Sequence, residues 1–282
     1  MKDVKIFYYY TKPNFGDQLN LTLLEKLFQK KGNLSHPTKA QLCMIGSILE
    51  PLIINKPTFK GTLKKNIFPP LAIFGSGFLT DPKQSKESYV RKLEVCATRG
   101  KLTRDRLSKN LHRDLSKIPL GDPGLLTSKI FDPSTVNKKF QVGIIPHMHN
   151  WEDTLLNKLK SKVDNSIIIN PLDTVENVIK QISQCETILS NAMHGLIVAD
   201  SLGIPNKRLI LTKELNGGIY KFHDYYSAFD METLPQVLDL RDATDAEIAS
   251  SIENIKKDYS ISYDQIHEIQ HKLLENSPRF LN

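Results

Sequence analysis

Ser190-Asn191-Ala192-Met193-His194-Gly195-Leu196-Ile197-Val198-Ala199-Asp200-Ser201-Leu202-Gly203-Ile204-Pro205 is the stretch on which the fold turns. The apolar run Cys185 to Leu189 before it reads as a short buried strand, and Asn191 suits a helix N-cap. Met193, Leu196, Ile197, Ala199 and Leu202 supply a helical stripe that Gly203 and Pro205 end. A strand running straight into a helix predicts a βα unit with His194 in the first helical turn. Free amides and the positive dipole end make such a turn an anion site, and a histidine there can move a proton. The same residues read more plainly as a capped βα unit with a partly buried histidine.

The strand-to-helix rhythm recurs on both sides. Val4 to Tyr10 is expected as a strand, followed by a helix from Asp17 to Lys31 closed by Gly32. Gln41 to Gly46 and Leu71 to Phe74 are short apolar runs bounded by glycine, as buried parallel strands are. Val95 to Thr98 leads into a basic helix from Lys101 to Leu111, and Ile118 to Leu126 holds a strand and a turn. Strands at Val142 to Ile145 and Ile167 to Ile169 alternate with a helix after Asn150 and another from Thr174 to Ser183. After the opening stretch come a strand at Arg208 to Leu211 and a last helix from Ser260 to Glu275. Such alternation predicts an α/β protein with right-handed crossovers and doubly wound sheets. The polar break between Ser128 and Phe140 divides it into two domains facing a cleft, 1–135 and 136–245, with helices in 246–282 packing back across them.

A chain of 282 residues can bury two cores of ordinary size. Its 40% hydrophobic and 24% charged residues are the proportions of a soluble globular protein, and no apolar run is long enough to cross a bilayer. Met1-Lys2-Asp3-Val4-Lys5 reads as a strand start and not a signal peptide, so a cytoplasmic location is expected. Cys43, Cys96 and Cys185 lie far apart in apolar segments, unlike a disulfide framework or a zinc site, so no metal is expected. The net charge of +7 comes from clusters such as Lys64-Lys65, Arg104 to Arg106 and Lys256-Lys257, which ordinarily form solvated faces. The excess suits an anionic small molecule or an anionic lipid surface. No basic-aromatic platform accompanies it, which speaks against nucleic acid.

Ligands of open α/β sheets bind beyond the carboxyl ends of the strands, so the polar residues there are the candidates. Asn14, Gly16, Asp17 and Gln18 follow the first strand; Asp17 reads equally as a helix cap and as a carboxylate for a sugar hydroxyl. Gly75-Ser76-Gly77 follows Phe74 and would admit a ligand close to the backbone. Arg99 and Arg104 could clamp a carboxylate or phosphate, whereas Arg106 is expected as a solvated helix charge. His147 and His149 close another strand. Lys221-Phe222-His223-Asp224-Tyr225-Tyr226-Ser227 is expected as a binding loop. Walker, nucleophile-elbow and metal-helix motifs are absent.

Taken in order, these residues resemble the polysaccharide pyruvyl transferase family. The run Ala192 to Asp200 with Gly203-Ile204-Pro205 is similar to its signature, closest to the bacterial exopolysaccharide branch. Asn14 to Asn20, Phe74 to Gly77, Arg99-Gly100 with Thr103, Gly121 to Leu126, Pro146-His147 and the Lys221 to Ser227 segment line up with it. Many members carry an arginine where this chain has Ala192; Arg99, Arg104 or Lys221 would then hold the donor. The resemblance implies two Rossmann-like domains of the GT-B kind, the first on the acceptor side and the second on the donor side. It implies transfer of a pyruvyl group from phosphoenolpyruvate to two hydroxyls of one sugar, giving a cyclic ketal, with no cofactor. His194 is then the acid or phosphate partner and Asp17 the acceptor's base. Arg99, Arg104, His147, Asn191, Met193, Gly195 and Lys221 stand on the donor side, and Asn14, Gln18, Ser76, His223 and Asp224 on the acceptor side. A lipid-linked acceptor would draw the protein to the inner membrane face, and a homo-oligomer is compatible with the sequence. Two rivals use the same scaffold: a nucleotide-sugar glycosyltransferase, with Glu214 gripping the ribose, and a carbohydrate- or anion-binding protein without catalysis.

Overall fold

Two five-stranded parallel sheets carry the computed structural model, which describes residues 2–54, 68–83, 86–211 and 217–282. The first half contains β1 (Lys2–Phe7), α1 (Phe15–Lys26), β2 (Lys30–Leu34), β3 (Leu42–Cys43), β4 (Ile53–Ile54), β5 (Leu71–Phe74), β6 (Ser88–Tyr89), β7 (Leu93–Ala97) and α2 (Lys101–Leu111). Its sheet has the order β2-β1-β3-β5-β7, and β4 and β6 form a separate antiparallel pair. A 3-10 segment at Pro123–Lys129 leads to β8 (Phe140–Ile145), α3 (Thr154–Lys162), β9 (Ser166–Ile168), α4 (Val175–Ser183), β10 (Cys185–Ser190) and α5 (Met193–Ser201). Then follow β11 (Asn206–Ile210), α6 (Tyr220–Ser227), β12 (Val237–Asp239), α7 (Asp245–Glu253), α8 (Ile255–Asp258) and α9 (Tyr263–Glu275). The second sheet has the order β12-β11-β10-β8-β9.

Each order reverses once. β1 has β2 on one side and β3 on the other; β8 has β9 on one side and β10 on the other. A reversal leaves a crevice beyond the carboxyl ends of the two strands concerned, because their crossover helices lie on opposite faces. The segments after β1 and β3, and those after β8 and β10, are therefore where a ligand fits. One hydrophobic cluster runs from Leu19 and Leu23 on α1 through Leu125 to Ile197 on α5 and Val178 on α4, so the sheets share buried side chains. From α9, Gln270 Nε2 donates to Leu125 O at 2.6 Å and Ser128 Oγ at 2.9 Å, tying the last helix to the 3-10 segment.

Several local expectations are corrected. The first helix ends at Lys26, and Gly32, expected as its cap, lies in edge strand β2 paired with Val4. A Cβ on Gly32 would stand 2.5 Å from a Leu21 methyl and 3.0 Å from a Leu24 methyl, so a larger residue there would have to move the α1 side chains packed on β2. The first strand stops at Phe7, and Ile118 to Leu126 contributes only a bridge from Leu120 to Thr98 before the 3-10 turn. Ala192, not Asn191, is the N-cap of α5, and no side chain caps it. The Lys221 segment is helix α6, with Lys221, Phe222, Asp224, Tyr225 and Tyr226 buried. Arg106 is buried too: it pairs with Glu87 through Nε (2.9 Å) and Nη2 (2.6 Å), and its guanidinium lies 3.7 Å from the centre of the Phe78 ring. Lys64-Lys65 and Glu214 fall outside the described residues.

Arg99, at the turn into α2, and Asp224, on α6, form an ion pair with no exposed surface on either side chain. Nε donates to Asp224 Oδ2 at 2.9 Å, one Nη to Ser47 Oγ at 2.6 Å and the other to Phe78 O at 2.6 Å. Asp224 also accepts from Thr103 N at 2.8 Å and Thr103 Oγ1 at 2.7 Å. A buried ion pair is tolerable only when every polar atom is satisfied in this way. Asp224→Ala leaves the Arg99 charge unpaired and is expected to cost about 3–5 kcal/mol in urea unfolding. Lys162→Ala, which breaks an exposed pair with Asp245, should cost about 1 kcal/mol or less.

Candidate functional site

The two crevices open into one cavity of about 200 Å³. From the first half come Tyr9, Asn14, Phe15 and Asp17 after β1, and Gly46, Ser47 and Ile48 after β3. From the second come His147, Met148 and His149 after β8, and Ala192, Met193 and His194 after β10. Lys221 of α6, Leu79 and Pro171 complete the wall. Hydrogen bonds cross it: Phe15 N donates to Pro171 O at 2.9 Å, and Lys12 Nζ to Met148 O at 3.2 Å.

Asn191 locks the entry to the opening stretch. Its amide N donates to Ile145 O at 2.9 Å, its Oδ1 accepts from His147 N at 3.2 Å, and its Nδ2 donates to Leu209 O at 3.4 Å. The side chain thus joins the ends of β8, β10 and β11 and sets His147 beside the α5 turn; this competes with, and replaces, the expected capping role. Gly195 is needed where a Cβ would stand 2.3 Å from Ser190 Oγ. His194 is half-buried and lies against the first turn of α1, since a Cβ on Gly16 would come within 2.1 Å of its Nδ1 and 2.7 Å of its Cβ. The imidazole therefore sits between the amino ends of two helices that belong to different sheets.

Asp17 is buried (7% exposed) in the first turn of α1, with no cation bound to it among the described residues. Its backbone N–H donates to Asn14 Oδ1 at 3.2 Å, and its Oδ2 accepts from Asn14 Nδ2 at 2.5 Å. Oδ1 lies near Gly46, and no hydrogen bond among the described residues reaches it. Burial pushes this carboxyl up to about 7, against the lowering effect of Asn14. Burial likewise pushes His194 down to about 3, helped by the positive charges of Lys221 and Arg99. His147 falls to about 4 by burial and then by Lys221. Lys221, 9% exposed and without a hydrogen-bond or ion-pair partner among the described residues, falls to about 8 by burial, then by Arg99 and Arg208. All four groups are displaced toward their neutral forms. Among the described lining residues Lys221 is the one Lys or Arg, and Asp17, held near its neutral form, is the one carboxyl.

The expected residues separate into two groups. Asn14, Asp17, His147, Met193, His194 and Lys221 line the cavity, and Asn191 and Gly195 shape it from behind. Arg99 is consumed by its buried pair, and Arg104 bonds Asp105 at 2.8 Å on the outer face of α2. Of the cations proposed to replace an arginine at Ala192, Lys221 alone faces the cavity. On the acceptor side, Asp224 is the partner of Arg99, Ser76 donates to Met44 O at 2.9 Å in the interior, and Gln18 does not line the cavity. His223 is half-buried on α6 and does not line the cavity. Ser47 and Tyr9 are additions; the strand ending at Gly46 marks Ser47 by the strand-end rule, whereas Tyr9 lay hidden inside the strand as predicted. Among the described residues, no group of three His, Cys, Asp or Glu side chains stands together to hold a metal.

A model of the polysaccharide pyruvyl transferase family matches residues 61–206, just over half of the 282-residue chain. The chain belongs to that family. The matched region of this pyruvyl transferase family member includes Arg99, Asp122, His147 and the α5 turn; Asp17 and Lys221 lie outside it. An uncharacterised protein of Acanthamoeba polyphaga mimivirus is 30% identical over 240 residues, covering 82% of this chain and 76% of its own. The succinoglycan biosynthesis protein ExoV of Rhizobium meliloti is 24% identical over 225 residues, covering 79% of this chain and 64% of its own, which sets the chain beside the exopolysaccharide branch. A functionally uncharacterised Klebsiella pneumoniae structure aligns with 84% of this chain and 92% of its own at 12% identity and a TM-score of 0.46, too low to carry an argument. Membership identifies a transferase enzyme. Among the described residues, no helix is long and apolar enough to cross a membrane.

Two substitutions probe this geometry. Gly16→Ala must push the His194 ring out of place, so the His194 Cε1–H resonance should shift while the far-ultraviolet circular dichroism stays the same. Asp17→Asn should be more stable than the parent above neutrality. With a carboxyl raised from 3.8 to about 7, the folded state holds a proton the unfolded chain has released. The parent therefore loses stability as pH rises from about 4 to about 7. Melting curves of the two proteins should diverge over that interval and run parallel above it.

Proposed function

We propose that this pyruvyl transferase moves the pyruvyl group of phosphoenolpyruvate onto two hydroxyls of one sugar in a polysaccharide or lipid-linked oligosaccharide precursor. The observation that carries this reading is one cavity lined by a buried carboxyl, two half-buried imidazoles and Lys221, which has no hydrogen-bond or ion-pair partner among the described residues. The donor's phosphate and carboxylate supply the missing negative charge against Lys221 and the α5 amides. Their arrival raises the proton affinity of His194, which burial and Lys221 otherwise hold neutral. His194 then delivers its proton to the donor's methylene carbon, leaving an electrophilic carbon beside it. One sugar hydroxyl adds to that carbon and gives up its proton, the carbon–oxygen bond to phosphate breaks, and the second hydroxyl closes the ring. Of the two protons released, one restores His194 and one leaves with phosphate; Asp17, near neutrality, collects them. The products are a methyl- and carboxylate-bearing cyclic ketal and inorganic phosphate. The chemistry requires no metal or organic cofactor.

On this reading residues 1–135 form the acceptor-side Rossmann-like domain and 136–245 the donor-side one, arranged as in GT-B enzymes, with 246–282 spanning both. The protein works in the cytoplasm, reaching the inner membrane face when its acceptor is lipid-linked. The ExoV likeness points the acceptor class toward exopolysaccharide precursors.

Phosphoenolpyruvate should raise the melting temperature, and nucleotide sugars should not; the reverse pattern would favour the glycosyltransferase. His194→Gln should retain phosphoenolpyruvate binding and lower acceptor-dependent phosphate release about 10²–10⁴-fold. Full activity in that variant would remove His194 from the mechanism.

A further inference from the structure

The mouth of the cavity carries side chains that the donor chemistry leaves unused. Tyr9 lines it with 38% of its surface exposed, whereas its neighbour Tyr8 is buried at 6%. From the second sheet comes exposed His149, its ring 5.2 Å from that of His147 and tilted by 37°. The other end is the reverse: Ala192, Met193 and Lys221 are each at most 9% exposed, and the cation sits there. Polarity thus runs from a buried cationic end to an open aromatic one.

Phosphate and carboxylate occupy the cationic end. The lining from the first half combines the exposed Tyr9 ring with hydroxyl-binding groups deeper in the cavity, buried Asp17 and half-buried Ser47. Asp17 Oδ1 can accept, and Ser47 Oγ, already accepting from Arg99, keeps its own proton to donate. A pyranose has that dual character, with hydroxyls around its rim and C–H bonds on its faces. Its apolar face gains contact with a tyrosine ring while the rim reaches the polar groups. We infer that Tyr9 is the platform on which the acceptor's reacting pyranose ring lies. This assignment rests on the pyruvyl-transfer reading for the identity of the inner ligand. Tyr10, 56% exposed and not on the cavity wall, serves as an internal control.

Saturation-transfer NMR with methyl β-D-glucopyranoside and methyl β-D-galactopyranoside, in the presence of phosphoenolpyruvate, tests it. Irradiating aromatic protons should saturate ring protons of at least one glycoside in the parent, in Tyr9→Phe and in Tyr10→Ala. Tyr9→Ala should weaken that glycoside about three- to tenfold, with the thermal shift produced by phosphoenolpyruvate unchanged. No saturation in the parent, equal saturation in Tyr9→Ala, or displacement of the sugar by uridine would overturn the assignment. Tyr9-dependent sugar binding without any response to phosphoenolpyruvate would sink the donor reading and leave the platform standing.

Discussion

The buried pair of Arg99 and Asp224 is the constraint on which the site depends. It joins residues 125 apart in sequence and consumes every polar atom of the guanidinium. Asp224 lies three residues after Lys221 on α6, one turn of helix away, so anchoring one aims the other. The same guanidinium holds Ser47 on the opposite wall. A neutral pair of similar shape could pack as well, but it would leave neither a second positive charge behind Lys221 nor a fixed position for α6.

That arrangement explains the electrostatics of the cavity. Burial alone would make His194, His147 and Lys221 shed protons; the neighbouring cations reinforce it. On the proposed reading the anionic donor relieves that cost on binding. Family membership and the lysine and histidines of the cavity wall are separate observations, one from sequence comparison and one from geometry, and the proposed anionic donor rests on both. Asp200 gives a contrast from the same signature stretch. It accepts from Tyr225 at 2.6 Å, Asn206 at 2.6 Å and Tyr259 at 2.9 Å, and so ties α5 to β11, α6 and the end of α8 without lining the cavity between the sheets. One motif therefore contains both a cavity-lining histidine and a structural anchor.

Legibility in the sequence followed the range of the interactions. Leu71–Phe74 and Lys101–Leu111 appear where expected, because a wholly apolar run and a glycine-bounded helical segment are local signals. The segment at Lys30–Leu34 was expected as helix, because its glycine serves packing against α1 and not chain termination. The rule that ligands gather beyond strand ends found Asn14, Asp17, His147, His194 and Lys221. It also drew in Arg99, Arg104, Ser76 and Asp224, since nothing local distinguishes a side chain facing the cavity from one turned inward.

What the sequence by itself determined was the alternating α/β character, the βα unit at Ser190 to Pro205, the family, and the kinds of residue gathered at the strand ends. These rest on periodicity, caps and spacing, which act over a few residues. Only the tertiary structure decided that both sheets reverse at strands whose ends share one cavity. The same is true of Gly16 packing against His194, of Asp224 neutralising Arg99 and so removing it from ligand binding, and of Lys221 standing without a partner among the described residues. Those outcomes depend on pairings across more than a hundred residues, where burial and the availability of a counter-charge decide whether a cation is structural or free to act.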